Sequence, residues 1–354
     1  MFHSHFWTDW FADLNYGPAA EAEKSDAFKA LTTAADKWIN LGVDGFRLDA
    51  EKHIYHNAYS SENPIFLKKF YDRCNTTFKA RGGNGDFYMV GEMLDDCDKV
   101  APYYAGLPAL FEFSFWYKLK WALQNNTGLY FAHDIISMQS AYSQYRTDYI
   151  EATKLSNHDE DRAGSDLDKS KEKMKLAAAV LMTSQGHPYI YQGEELGYWG
   201  TKSRGDEYVR TPIIWDRSST NTATAGVNGK YDSGMLTKAM SVEAQSEDNN
   251  SVLSVYRYFT KLRNAHPALA SGKMSRHPDY DENRQTDKNI AAWFIEGDGE
   301  KLLVVHNFGN TQYDAYFHDD LSQAIGLHGT ASAYKTVDTW KLTLGAYSSV
   351  IFRQ

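Results

Sequence analysis

Three short apolar runs in this chain each close on an acid, and helical patterns fill the stretches between them. The first run passes through Leu41-Gly-Val43 into Gly45-Phe-Arg-Leu-Asp-Ala-Glu-Lys-His53 and meets its acid at Asp49. The second, Asp86-Phe-Tyr-Met-Val-Gly-Glu92, ends on Glu92, and the third, Ile150 to Asp159, ends on Asn157-His158-Asp159. Strand-length runs alternating with helical patterns build parallel βα units. A parallel barrel of such units gathers the carboxyl ends of its strands on one face, where its chemistry sits. Three acids at three strand ends therefore predict an α/β barrel with a carboxylate-lined active site.

Within the first run, Arg47 and Asp49 are two residues apart and share one face of the pleat. A guanidinium beside a carboxylate keeps it ionised and oriented. A carboxylate nucleophile or a charge stabiliser needs both. A plain Arg–Asp pair at a strand end would leave the same trace, but the recurrence of the acid at two further strand ends favours the chemical reading.

A net charge of −9 with no basic run argues against a nucleic-acid partner, although solubility alone accounts for the acidity. The 24 Tyr and 9 Trp suit a protein that stacks sugar rings, as they also suit a packed core. The two cysteines, Cys74 and Cys97, are not spaced as a metal site and leave one disulfide open. No signal-like start and no apolar run of membrane length is present, so an exporting segment would lie outside this stretch.

Apolar residues at helical spacing (Phe28, Leu31, Ala34, Trp38) predict a helix over Ala20 to Asn40, before the Asp49 strand. Pro64 opens a second amphipathic pattern, Ile65 to Phe78. Leu110 to Phe115 alternates as a strand does, and helical stretches follow at Trp116 to Asn125, Phe131 to Tyr145 and Lys171 to Thr183. Pro188 to Tyr191 reads as the last barrel strand, Trp199 to Asn250 as a long loop over the cleft, and Val252 to Ala265 as the closing helix. From Lys273 the pattern turns to short alternating runs (Ile290 to Phe294, Leu302 to His306, Tyr313 to Phe317, Tyr347 to Phe352), the mark of an antiparallel sandwich. Trp121, Tyr130 and Asp134 lie on and between two of the helices. Two aromatics with an acid nearby make either a platform for a second glucan contact or ordinary core.

The three motifs, Gly-Phe-Arg-x-Asp, Gly-Glu and Asn-His-Asp in that order, resemble those of glycoside hydrolase family 13, the α-amylase family. Gln192-Gly-Glu-Glu195 resembles the family as well, and the likeness runs through the whole chain. Within the family it is nearest to cell-surface amylases and neopullulanases of bacterial starch-utilisation systems. The resemblance implies an incomplete TIM (β/α)8 barrel followed by a C-terminal antiparallel β-sandwich. Residues 1–17 would be a remnant of an inserted domain with its junction loop, 18–270 the barrel with strands 4 to 8, and 271–354 the sandwich. Phe11-Ala-Asp-Leu-Asn15 matches a family motif except at Ala12, where proline is usual. The chain is thus expected to be a C-terminal part, without the first three barrel strands.

By the same resemblance Asp49 is the nucleophile, Glu92 the general acid/base, and Asp159 the third acid, which stabilises the transition state. A general acid must carry its proton near neutral pH, which calls for burial or neighbouring negative charge, and Asp159 is a candidate source. Arg47 partners Asp49, while Asn157 and His158 belong to the third motif, with His158 a donor to the sugar at the cleavage point. Lys52 and His53 resemble contacts to the sugar on the leaving-group side, in a form typical of enzymes cutting internal α-1,4 links. Asp206 and Arg210 resemble a pair that binds sugar on the non-reducing side, with a surface ion pair as the alternative. Calcium is the implied metal, held by the Asp13 carboxylate and the His53 carbonyl. Calcium takes six to eight oxygens, and with the family's asparagine ligand missing the site would be half built.

The expectation is a retaining α-glucan hydrolase acting inside α-1,4-linked starch, pullulan or maltooligosaccharides. It would work at the cell surface or outside the cell, with other proteins of a starch-uptake system as partners. A transglycosylase or glucan isomerase uses the same three acids, and a non-catalytic glucan-binding fragment is the third possibility.

Overall fold

The computed structural model describes residues 13–55, 57–218, 237–280 and 287–354. The aromatic run up to Ala12 and the middle of the long loop, 219–236, lie outside the described residues. The chain forms two compact units: Met1–Ser114 with Met138–Ala152, and Phe115–Ser137 with Thr153–Gln354.

The first unit is built on a parallel sheet of four strands in chain order: β1 (Gly45–Leu48), β2 (Tyr88–Gly91), β3 (Ala109–Glu112) and β4 (Ile150–Thr153). This is part of a barrel wall, and among the described residues it does not close on itself. Helices connect the strands, as parallel pairing requires, but the apolar run Leu41-Gly-Val43 is not itself strand: Leu41 caps the first helix, 69% exposed, and the strand begins at Gly45. The first helix, Asp26–Asn40, starts at Ser25, whose hydroxyl accepts the Phe28 amide at 3.1 Å. Its buried stripe is Phe28, Thr32, Ala35 and Ile39. Thr32 is tolerated inside because its hydroxyl donates to the Phe28 carbonyl at 2.9 Å. Leu31, Ala34 and Trp38 instead line an open cavity of about 360 Å³ beside Phe46.

The helix Glu62–Ala80 carries Pro64 in its first turn, as expected, and buries Phe66, Leu67, Phe70 and Cys74. Cys74 and Cys97 are both free thiols, so the possible disulfide is not formed. The alternating stretch Leu110 to Phe115 is strand only as far as Glu112, and a helix begins at Phe113. The Glu112 carboxylate accepts the Ser114 amide at 2.9 Å, which ends the strand by satisfying a donor of the helix's first turn.

In the second unit the helix Lys171–Thr183 is buried from Met174 onward, and Val252–Ala265 is capped by Ser251, whose hydroxyl accepts the Ser254 amide at 3.0 Å. The expected last barrel strand is reduced to a single parallel bridge between Lys154 and Tyr189. The C-terminal part is a sandwich of two antiparallel sheets. One runs in the order β5 (Lys273–Arg276), β6 (Ile290–Gly297), β7 (Glu300–Asn307), β12 (Ser349–Arg353), β9 (Ala324–His328). The other runs β10 (Ala331–Lys335), β11 (Trp340–Leu344), β8 (Tyr313–Phe317). Inward side chains from both, including Ile290, Leu303, Phe317, Leu342 and Phe352, make one core. No helix among the described residues is long and apolar enough to cross a membrane.

Candidate active site

The parallel register sets the first two acids side by side. Leu48 pairs with Gly91, and the Leu48 carbonyl accepts the Glu92 amide at 3.0 Å, so the pairing runs one residue past the end of β2. Asp49 and Glu92 are the next residues on each. Arg47 spans them: one terminal nitrogen pairs with Asp49 Oδ1, and the other lies 3.2 Å from Glu92 Oε2. Immediately after Asp49, Ala50 is left-handed, with φ 47°. That conformation is costly for a residue with a Cβ. Here it turns the Ala50 amide onto Glu92 Oε2 at 3.1 Å. The Asp49 side chain is 75% exposed and that of Glu92 14%, so one carboxylate is open to an incoming ring while the other is sunk and tethered.

Lys52 donates to the Leu94 carbonyl at 2.7 Å and to Asp95 Oδ2 at 3.1 Å, which ties it to the segment after β2. Burial alone would push the Asp95 carboxyl up, but hydrogen bonds from the Asp96 amide, Lys52 and Tyr59 outweigh it and hold the group below the usual carboxylate range. The His53 amide donates to the Ala50 carbonyl at 3.0 Å, closing the turn.

In the second unit, the third acid stands in a cluster of charges. Asn157 Oδ1 accepts the Asp159 amide at 2.8 Å, and His158 Nε2 lies 3.0 Å from Asp159 Oδ2. Arg210 donates to the His158 carbonyl at 3.0 Å and to Asp159 Oδ1 at 2.8 Å, and pairs with Asp206 at 2.9 Å. Lys202 closes the group, 2.6 Å from Asp206 and 3.4 Å from Asp159. Asp206 and Arg210 form an ion pair, and Arg210 also holds the acid itself.

These motifs can be set against known proteins. Residues 2–272 match the family model described as alpha amylase, catalytic domain. The chain belongs to the α-amylase family. Residues 290–351 match a second model, the alpha-amylase SusG C-terminal domain. Alpha-amylase SusG of Bacteroides thetaiotaomicron is 54% identical over 353 residues, which is 99% of this chain and 50% of that protein. Alpha-amylase 3 of Dictyoglomus thermophilum is 30% identical, covering 99% of this chain and 65% of its own length. The chain thus spans from half to about two thirds of these relatives. The crystal structure of the α-amylase from H. orenii superposes with a TM-score of 0.82 at 24% identity, over 99% of this chain and 68% of that one, and shares its fold.

Several residues of this α-amylase-family chain were not marked by its motifs. Glu51, inside the first motif, is 1% exposed, and neither carboxylate oxygen has a hydrogen-bond partner among the described residues. Burial pushes its carboxyl up to about 8; Glu92 adds to the shift and Arg47 opposes it. Nothing in the spacing singles out an acid in that turn as buried. Glu194, in the Gln-Gly-Glu-Glu stretch, accepts from the Ser156 amide at 3.2 Å, the Ser156 hydroxyl at 2.7 Å and the Tyr256 hydroxyl at 2.7 Å. It anchors the turn that presents Asn157, and burial raises its carboxyl to about 7. Arg162, 1% exposed, is stacked 4.6 Å from the Tyr191 ring and donates to the Gln192 carbonyl at 2.9 Å. Lys202 could have been found by its four-residue spacing from Asp206.

Trp121 and Tyr130 are 53% and 42% exposed, and Asp134 pairs with Lys118 at 2.7 Å. These two aromatics are surface residues rather than core. Among the described residues no group of three or more His, Cys, Asp or Glu converges on one point.

Proposed function

We propose that this chain carries the catalytic machinery of a retaining α-glucan hydrolase that cuts internal α-1,4 links of starch, pullulan or maltooligosaccharides. The observation that supports the reading most is Arg47, one guanidinium in contact with both Asp49 and Glu92. Such a bridge gathers two carboxyls on one guanidinium, and double displacement uses two carboxyls about 5 Å apart.

Asp49, exposed and paired with Arg47, attacks the anomeric carbon and forms a covalent glycosyl-enzyme. Glu92 protonates the departing oxygen and then, as base, takes a proton from the water that releases the sugar. Asp159, oriented by Arg210 and Lys202, offers its carboxylate to sugar hydroxyls, with His158 as a donor beside it. Lys52 and His53 face the leaving-group side. Trp121, Tyr130 and Asp134 form a second glucan contact away from the chemistry. The protein works at the cell surface among proteins that take up starch. Where calcium binds, Asp13 and His53 are the ligands this stretch contributes, and the ion would stiffen the loop after Asp49. A transferase on this scaffold would use the same acids and differ in excluding water from the acceptor side.

The test is reducing-end release from soluble starch by the intact protein beside an Asp49→Asn variant, with the anomer of the first product read by NMR. Release of the α-anomer, lost in the variant, is expected. A first product of β configuration would overturn the retaining mechanism. Transfer to an added acceptor sugar in place of hydrolysis would favour the transferase.

A further inference from the structure

Beside the catalytic motifs of the first unit runs a groove that the three acids do not use. It has a volume of about 510 Å³, in the range of ordinary ligand clefts. It lies between the helix Glu62–Ala80 and the segment 98–105. Two tyrosines stand in its wall with their rings open to solvent, Tyr59 at 60% and Tyr145 at 48% exposed, with Ile65 at 40% between polar neighbours.

The chemistry of the rim narrows the occupant. Lys99 is paired with Asp98 at 2.6 Å and Lys68 with Asp72 at 2.7 Å, so the charges at the groove are balanced locally. Lys99 also stands 5.7 Å from the centre of the Tyr59 ring, which sets a cation beside that ring. A neutral ligand with apolar C–H faces and many hydroxyls fits such a surface: the faces stack on the tyrosines and the hydroxyls bond to the paired ions. The groove is also joined to the catalytic motif. Tyr59 donates to Asp95 Oδ2 at 2.9 Å, and the same oxygen accepts from Lys52 at 3.1 Å. Lys52 is the residue assigned to the leaving-group side of the cleavage point.

We infer that this groove is an extended subsite for the glucan chain, in which Tyr59 and Tyr145 hold sugar units beyond those at the cleavage point on the leaving-group side. The inference rests on the α-glucan reading and adds to it a preference for long chains. A polymer threaded past Lys52 continues over Tyr59 and into the groove, while a short oligosaccharide ends before it.

The experiment is calorimetric titration of the intact protein with maltoheptaose and maltotriose, in an Asp49→Asn background that stops turnover. Replacing both tyrosines (Tyr59→Ala with Tyr145→Ala) is expected to weaken maltoheptaose binding by about tenfold, leaving maltotriose within about twofold. Tyr59→Phe, which keeps the ring and loses only the bond to Asp95, should bind the long chain nearly as the parent does. Both rings are exposed, so each single alanine variant carries the same test if the double one unfolds. Equal maltoheptaose affinity in the alanine variants and the parent would overturn the subsite and leave the groove to another occupant, such as a protein partner. A parent that binds neither oligosaccharide would instead overturn the glucan reading, and the subsite with it.

Discussion

The carboxyl of Glu51 occupies the space beside Gly91 where a methyl group would stand: a Cβ there would lie 2.5 Å from Glu51 Oε1 and 2.7 Å from a Leu107 methyl. Gly91 is the last residue of β2, and the next is Glu92. The glycine of the Gly-Glu motif therefore serves packing beneath the acid. A Gly91→Ala substitution is expected to destabilise the protein by about 1–3 kcal/mol through overpacking. It should also lower kcat by displacing Glu92. Thermal unfolding and kinetics check both, and adding Glu51→Ala should restore part of the stability. No recovery in the double variant would place the clash elsewhere.

Glu51 also makes stability depend on pH. Its carboxyl is raised to about 8 in the folded chain, so between the ordinary glutamate value and about 8 the folded state holds a proton that the unfolded state has released. Stability is then greatest below that window and falls as pH rises through it. Glu194, raised to about 7, acts in the same direction over a narrower range. Glu51→Gln, which cannot ionise, is expected to match the parent near pH 4 and exceed it near pH 9 by roughly 2–5 kcal/mol. Denaturant titrations at the two pH values measure this, and parallel pH profiles for parent and variant would refute it.

Arg47 is expected to tolerate no substitute. Lysine offers a point charge in place of a planar fork and cannot reach two carboxylates at once. Arg47→Lys should reduce kcat by roughly 10²–10³-fold with little change in KM. A loss below about fivefold would mean that the bridge to Asp49 and Glu92 is not used in the reaction.

The cations around Asp159 should separate by geometry. Lys202 reaches Asp159 by one long contact, at 3.4 Å, from a side chain 34% exposed that pairs more closely with Asp206. Exposed pairs of this kind contribute about 0.2–1 kcal/mol. Lys202→Ala should therefore cost less than about fivefold in kcat/KM. Arg210→Ala removes two hydrogen bonds, to the His158 carbonyl and to Asp159, and should cost about 10–100-fold. The opposite ranking would assign the orienting role to Lys202.

Trp121 is exposed and remote in sequence from every catalytic motif. Trp121→Ala is expected to leave hydrolysis of maltotriose unchanged while reducing retention on insoluble starch several-fold, measured by pull-down. Unchanged retention would remove the second glucan contact.

The sequence by itself determined where the carboxylates stand along the chain. A short strand-length run that closes on an acid is a local instruction, and β1, β2 and β4 lie in or beside the runs that end on Asp49, Glu92 and Asp159. The helices Lys171–Thr183 and Val252–Ala265 were legible to their ends, because capping serines and a sustained helical period are local as well. Strands β6, β7, β8 and β12 were legible from alternation over a buried core. The short strands β9, β10 and β11 were not, since each is only five residues long and at most two of its residues are fully buried. Tertiary structure decided the rest. Which stripe of the helix Asp26–Asn40 is buried depends on what packs against it, so Trp38 faces out and Thr32 in. The contact of Arg47 with Glu92 exists because parallel pairing brings together residues 45 positions apart, and no local pattern encodes that register. Glu51 reads as one more polar residue in a turn; its burial, and the proton it keeps, come from β2 and Leu107 closing over it. Charge and burial are properties of a neighbourhood, and only the fold assembles the neighbourhood.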